Sequence, residues 1–525
     1  MAYSTGKLAV IFIVAVLLAC LGAWWTAYRY RVAMRRLMSA PLAAPARGTA
    51  PAAASKPLPP PAPPAPVSPA DNRRAAIRLT LLLVALSGLM ALSSASLVLV
   101  VAAEANAFSV KRVLLFALVH LWPVFPALGL LWRWSTARVL GALVLWCALC
   151  FGVLLWRSIE PRPLELLQFL AGEIGVPLLL VALLLMGNAT RAVAPWLLPP
   201  FIGLVWASIA GIDLLALLVE RRAPLLLWLS SWLNAHLAML LFALLPWLLA
   251  WWPLQRLGRA LGRAYARKQL SELMVLFTAV WAISLLSQAL TVASSVGLAG
   301  LALLLPLAWI PPVMAAHARL RTDRGRPPTL LVLRVFQHDA QVQDLFDHVV
   351  ERWRLSGNTV LIAGTDLADR TLDATDIYTF LDGGLAARFI RTAADVAPRL
   401  AAFDLARDAD GRFRVNECYC HDSTWQDALA ALVQRADVVL MDLRGFQAHN
   451  AGCRFELGAL ARSPHALRVV VLTDGRTDRA AADQAVADAP PGRFTWLDTA
   501  RIDARQRREV LASLLAGADA VRSPP

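Results

Sequence analysis

Four places in the second half of the chain put acids, amides and glycines where a ligand could be held. Gln337-His338-Asp339 follows one apolar run, and Gly364-Thr365-Asp366 follows another. Asp442 closes the run ADVVLMDL and is followed by Arg444-Gly445-Phe446. Shortly afterwards comes Asn450-Ala451-Gly452-Cys453-Arg454-Phe455-Glu456-Leu457, a glycine-flanked helix start. Asp339, Asp366, Asp442, Phe446, Asn450 and Gly452 are therefore candidate binding residues. A second set of polar residues lies in the apolar first half: His120, Glu173, Asp213, Asn234 and His236. A charge at mid-bilayer costs about 2.5–3.5 kcal/mol on insertion scales, so each needs a reason. Either the five converge on a proton or ion path, or they pair across helices as structural glue. Five such groups are sparse for a transporter, and the chain shows no internal repeat and no matched pair of broken half-helices. Cys418-x-Cys420-His421 lacks the usual zinc-ligand spacing and a clear fourth ligand, so no metal is expected. Cys147-Ala-Leu-Cys150 lies in an apolar helix, where free cysteines behave as small hydrophobes.

The elements that must position the first set alternate between strand and helix. Leu330–Phe336, Thr359–Ala363, Ala436–Leu443 and Leu467–Thr473 read as buried strands, and Thr495–Leu497 as another. Helical periodicity covers 342–355, 424–435, 452–462 and 504–516. Strands joined by helices imply a mainly parallel sheet, flavodoxin-like, covered on both faces. In such sheets ligands bind beyond the carboxyl ends of the strands, and that rule selects the candidate residues.

The first half is a different kind of chain. The sequence has 58% hydrophobic residues, 17% charged residues and a net charge of +15. Nine stretches reach the roughly 20 apolar residues needed to cross a bilayer: 8–28, 79–102, 113–132, 139–156, 164–186, 195–219, 224–251, 271–291 and 295–316. The last two are parted only by the turn around Ser294, Ser295 and Gly297. The expected domains are a first span with a basic flank (1–38), an Ala/Pro-rich linker (39–78), an eight-span bundle (79–318) and an α/β domain (325–525). Nine prolines from Pro51 to Pro69 make the linker an extended spacer, with docking of an SH3-like partner as the other reading. Arginines crowd three loops that fall on one side for nine spans, after residues 28, 251 and 316. The positive-inside rule then places the N-terminus outside and the C-terminal domain in the cytoplasm, in a multi-pass protein of the inner (cell) membrane. Leu-Leu-Ala-Cys20 loosely resembles a lipoprotein box, but the apolar run continues through Trp24 and Trp25, and the arginines after it resist export. The basic excess serves these loops, so no nucleic-acid partner is expected.

The strand ADVVLMDL, a loop and Gly-Cys-Arg-Phe-Glu-Leu-Gly at 452–458 resemble two families. One is the Toll/interleukin-1 receptor (TIR) domain, with its Cys-x-x-Glu-Leu-like helix start; LRVFQHDAQVQDLFDHVVERW is similar to the TIR first strand and helix. The other is the nucleoside 2-deoxyribosyltransferases, with Gly-x-x-x-Glu-Leu-Gly at this place. The resemblance spans residues 330–475. It implies that Glu456 works at the C1′ of a ribose, where a carboxylate can stabilise or capture the oxocarbenium-like charge of N-glycosidic cleavage. The alternative is a glutamate placed in the first helical turn, where the macrodipole favours an acid by about 0.3–1 kcal/mol. Three features depart from the patterns. GTDLADRTLDATD lacks the Arg-Gly of many TIR domains, Phe336-Gln337-His338 replaces the Gly-Pro of the transferases, and Asn450 stands where those enzymes often place an acid.

The resemblance implies a membrane-anchored signalling or effector protein. Its cytoplasmic domain would self-associate, assemble with protein partners, or cleave NAD-like nucleotides as substrate without a required cofactor. The other reading is a transporter or channel with a regulatory nucleotide-binding domain.

Overall fold

The computed structural model describes the chain apart from residues 1–4, 40–62, 102–107, 159–161, 225–227, 230, 322–324, 335–343, 364–373, 422, 466, 500–502 and 523–525. It divides into two compact units. One comprises Met1–Arg29, Leu82–Ala315 and Leu372–Thr379; the other comprises Tyr30–Leu81, Ala316–Thr371 and Phe380–Pro525.

The first unit is built of apolar helices. They are α1 (Thr5–Ser39), α2 (Pro69–Val101), α3 (Val110–His120), α4 (Val124–Trp132), α5 (Thr136–Arg157), α6 (Pro163–Leu185), α7 (Asn188–Glu220), α8 (Ala235–Ala266), α9 (Glu272–Val296) and α10 (Ile310–Arg319). Seven helical segments among the described residues are long and apolar enough to cross a membrane, eight if α3 and α4 count as one bent span. The bend of 43° follows Pro123, whose ring breaks the hydrogen-bond ladder. Large apolar side chains stand open on the helices, with Leu145 at 73%, Leu248 at 73% and Leu249 at 77% exposure. Helices that are hydrophobic all round need an apolar solvent, and lipid supplies it. The chain is a multi-pass membrane protein.

The last of the seven segments runs over 48 residues, Glu272–Arg319. Straight, it would reach about 72 Å, more than twice the roughly 30 Å hydrocarbon core. It is not straight. Gly297 takes φ +69, and a Cβ on Gly300 would lie 2.5 Å from the Ala293 backbone nitrogen. Those two residues would stand about 10 Å apart along one helix, so the chain reverses at Gly297. The two arms are α9 and a stretch of 3-10 helix (Gly297–Trp309) leading into α10. Ser94 of α2 donates to Gln288 of α9 at 2.8 Å, both buried, which is the polar glue expected between membrane helices.

Of the five intramembrane polar groups, His120 and Glu173 are brought together. His120 Nε2 lies 3.6 Å from Glu173, which sits in a π-helical turn of α6 (Ala171–Gly175). Asp213 is paired with Lys7 of α1. Asn234 caps α8 by accepting from Leu237 N at 2.9 Å, and His236 is exposed. Each acid has a cationic or ionisable neighbour, as a structural pairing requires.

The C-terminal α/β domain lies in the second unit, apart from residues 372–379. Its strands are β1 (Thr329–Arg334), β2 (Asn358–Ile362), β3 (Phe389–Ile390), β4 (Val415–Cys420), β5 (Val438–Asp442), β6 (Arg468–Thr473) and β7 (Phe494–Asp498). They form one all-parallel sheet in the order β3-β4-β2-β1-β5-β6-β7. β1 and β5 are buried at every position, whereas the edge strand β7 is half-exposed. This is why their sequences are continuous apolar runs rather than alternations. Helices α11 (346–353, opening with a π turn), α12 (Ala374–Leu381), α13 (Val396–Ala401), α14 (Trp425–Val433), α15 (Ala451–Arg462), α16 (Arg479–Ala485) and α17 (Ala504–Arg522) join or follow the strands. From β1 the chain goes first to β2, β3 and β4 on one side, then crosses to β5 on the other. The order therefore reverses between β1 and β5. Such a switch point opens a crevice at the carboxyl ends of the two strands.

Two further segments fold with this unit. Tyr30, near the end of α1, places its hydroxyl 3.1 Å from that of Tyr419 on β4. Asn72, at the start of α2, is buried and donates to Arg352 O and Ser356 Oγ, both at 2.7 Å. Most of the Ala/Pro-rich linker lies outside the described residues; its final part is held by Ala65 N donating to Arg326 O at 2.7 Å.

The reversal at Gly297 gives a test. In Gly300→Ala the new methyl meets backbone that cannot swing away, so the thermal midpoint in detergent should fall, by about 1–3 kcal/mol of stability. Gly88→Ala meets open space on α2 and should be neutral or stabilising by up to about 1 kcal/mol. Equal midpoints for the two variants would contradict the folded-back arrangement.

Candidate active site at the carboxyl ends of β1 and β5

The parallel pairing of β1 with β5 sets Arg334 directly opposite Asp442, each the last residue of its strand. Two charges thus stand side by side at the switch point. Asp442 is met from its own loop: Arg444 donates Nε to Oδ1 at 2.8 Å and Nη2 to Oδ2 at 2.6 Å. Both residues of this bidentate pair are buried.

The loop from β5 then turns through Gly445, at φ +73, where its amide donates to Asp474 Oδ1 at 2.9 Å. Asp474 also accepts from Arg476 N at 3.1 Å and Thr477 Oγ1 at 3.0 Å. These donors hold its carboxyl below the usual range, against the effect of burial. The loop ends in α15, whose buried side carries Cys453, Glu456, Leu457 and Leu460.

Glu456 is the unusual member of that side. It is 5% exposed. Its Oε2 is buried without a hydrogen-bond partner among the described residues. Burial pushes its carboxyl up to about 8, and the guanidinium of Arg334 offsets this only in part. It is the sixth residue of α15, and the first turn of that helix has no acid. The macrodipole reading of Glu456 is therefore corrected: the helix starts at Ala451, so Glu456 falls in its second turn, and the dipole effect fades beyond the first turn. A neutral acid at the carboxyl end of a parallel sheet, beside a fixed cation, is equipped to give a proton, or to ionise when a cationic ligand arrives.

The other expected site residues differ in placement. Asp339 and Asp366 lie outside the described residues. Asp442 stands at the crevice but is held by Arg444. Phe446 is fully buried and belongs to the core cluster with Leu443, Cys453 and Leu457. Asn450 turns the loop, its Oδ1 accepting from Gln447 N at 2.7 Å. Gly452 is exposed, with open space where a Cβ would be. Cys453 has its thiol pushed up to about 12 by burial, with Glu456 and Asp442 adding to it, so it is no thiolate nucleophile. Cys418 and Cys420 lie in the apolar core, and no group of three metal-ligating side chains occurs among the described residues.

Arg334, Arg444 and Asp474 were not among the residues expected from sequence. One signal for Arg334 was present, a lone arginine inside the buried run LLVLRVF.

The raised Glu456 makes stability depend on pH. Its carboxyl is protonated in the folded chain up to about pH 8 but ionises near 4.5 when unfolded. The unfolded state has then lost a proton that the folded state keeps, so stability falls as pH rises from about 4.5 to about 8. The loss is on the order of 5 kcal/mol. In the full-length protein, Glu456→Gln should flatten this slope in the unfolding midpoint of the α/β domain. Parallel slopes for wild type and variant would show that Glu456 is not desolvated.

Compared with family models, curated proteins and solved structures, the chain has no match in any of the three.

Proposed function

We propose that the protein is a membrane-anchored effector whose α/β domain is TIR-like and cleaves the N-glycosidic bond of an NAD-like nucleotide at Glu456. The observation that carries this reading is the buried Glu456 carboxyl at the switch point, beside Arg334, whose Oε2 has no hydrogen-bond partner among the described residues. Natural proteins seldom bury such a group without a use for it.

The chemistry follows from charge. The nicotinamide ring of NAD is a cation while joined to the ribose. Its arrival beside a desolvated carboxyl favours the ionised form, because attraction is strong where water is excluded. As the bond from C1′ to the ring nitrogen breaks, the electron pair leaves with nicotinamide and positive charge moves to the ribose. The Glu456 carboxylate then stabilises or captures that charge. Water adds at C1′ and loses one proton, giving ADP-ribose and free nicotinamide. Arg334 is the cation beside this point, while Arg444 is committed to Asp442.

The membrane unit, in this reading, anchors or senses. The basic segments after residues 28, 251 and 316 put the N-terminus outside and the α/β domain in the cytoplasm of an inner-membrane protein. The same domain assembles with further copies or with partners when the membrane unit is triggered.

Full-length protein in nanodiscs should release nicotinamide from NAD, and Glu456→Gln should lower the rate by at least about a hundredfold. The active form is ionised, so kcat/KM should rise with pH toward a plateau above about 8. Undiminished turnover in Glu456→Gln would reject the assignment. A reporter that works only outside the membrane should stay silent when fused after Pro525; activity there would reverse the orientation.

A further inference from the structure

A cavity of about 430 Å³ lies wholly within the second compact unit, away from the carboxyl ends of β1 and β5. Its wall includes the start of α2, the end of α10 and the 405–413 segment that precedes β4, with residues 65–67, 325, 327, 355 and 356 completing it. Four arginines line it (Arg74, Arg78, Arg321 and Arg407), together with His317.

Two acids also line it, and both are already matched. Asp410 is buried and accepts from Arg412, whose Nε lies 3.0 Å from Oδ2 and whose backbone amide lies 2.9 Å from Oδ1. Asp71 accepts from Ser68 Oγ at 2.8 Å and from Arg74 at 3.4 Å.

Two of the four arginines, Arg321 and Arg78, are not matched by an acid among the described residues. Arg321 is held by neutral groups, donating Nη1 to Asp408 O at 3.0 Å and Ala409 O at 3.3 Å, and its buried Nε has no partner among the described residues. Arg78 has no hydrogen bond or ion pair to a described residue. Positive charge of this kind, collected in a concave space and not cancelled, attracts an anion.

The position along the chain says which anion. Arg78 directly precedes the apolar run that begins at Leu79, and His317 and Arg321 directly follow the last apolar run. Residues at such junctions lie at the depth of lipid headgroups, where the phosphates are. We propose that this cavity binds a phosphate group, with Arg78 and Arg321 as its charged donors. A lipid headgroup and a free phosphate ester share that chemistry.

The test uses the full-length protein in non-ionic detergent, titrated calorimetrically with dioctanoyl phosphatidylglycerol and, separately, with glycerol 1-phosphate. Arg78→Gln should weaken binding about tenfold or more. Arg73→Gln changes an exposed arginine on the same helix that does not line the cavity, and should change binding less than about twofold. Binding of both ligands with this Arg78 dependence supports recognition of the phosphate itself. Binding of the lipid alone supports a membrane source, and of glycerol phosphate alone a soluble one. No saturable binding of either, or equal loss in Arg78→Gln and Arg73→Gln, overturns the proposal. An unchanged unfolding midpoint of Arg78→Gln verifies that its removal leaves the fold intact.

Discussion

The parallel pairing of β1 with β5 is the arrangement on which the candidate site depends. Parallel strands align their carboxyl ends, and this register puts Arg334 opposite Asp442. Two opposite charges at one buried edge would be expected to pair. Instead Asp442 is taken by Arg444, two residues further on, in a fork of two hydrogen bonds. The bidentate geometry wins because the guanidinium plane matches the carboxylate plane and the loop presents it at short range. The charge of Arg334 also acts on Glu456 of α15. That helix must set Leu457 and Leu460 against the sheet, so Glu456 is drawn in with them and loses its water. Packing and electrostatics are in conflict at this one residue, and a raised pKa is the result.

The membrane unit obeys a harsher form of the same rule. In lipid, a polar group without a partner is costly, and the intramembrane acids have partners close at hand. Glu173 has His120, and Asp213 has Lys7. The reversal at Gly297 is likewise forced by dimensions, since a continuous helix would overshoot the bilayer. Elsewhere in the chain, the segments next to the membrane spans are part of the folded second unit: Tyr30 and Asn72 each make a specific hydrogen bond within it.

Much of this fold was legible in the residues. The apolar runs at 330–336, 436–443 and 467–473 became β1, β5 and β6 because strands buried on both faces need no alternation. Two strands were not legible. β4 carries Asn416 and Glu417 among its cysteines, and those polar residues hid it; in the fold Glu417 accepts from Tyr419 at 2.7 Å and is buried. β3 has only two residues, below what periodicity can detect. The candidate site was legible in position but not in detail. The rule about carboxyl ends found Asp442 and the helix start. It could not tell that Arg444 would claim Asp442, or that Phe446 would turn into the core, because both depend on side-chain packing. The partner of Asp213 was equally hidden, since Lys7 lies at the far end of the sequence.

The central claim is that Glu456 faces the C1′ of a bound nucleotide. The most direct measurement is a structure of the full-length protein with a non-hydrolysable NAD analogue. The account expects the analogue in the crevice at β1 and β5, with C1′ within about 3.5 Å of a Glu456 carboxyl oxygen, the near-attack distance. An analogue bound elsewhere, or a ribose turned away from Glu456, would contradict it.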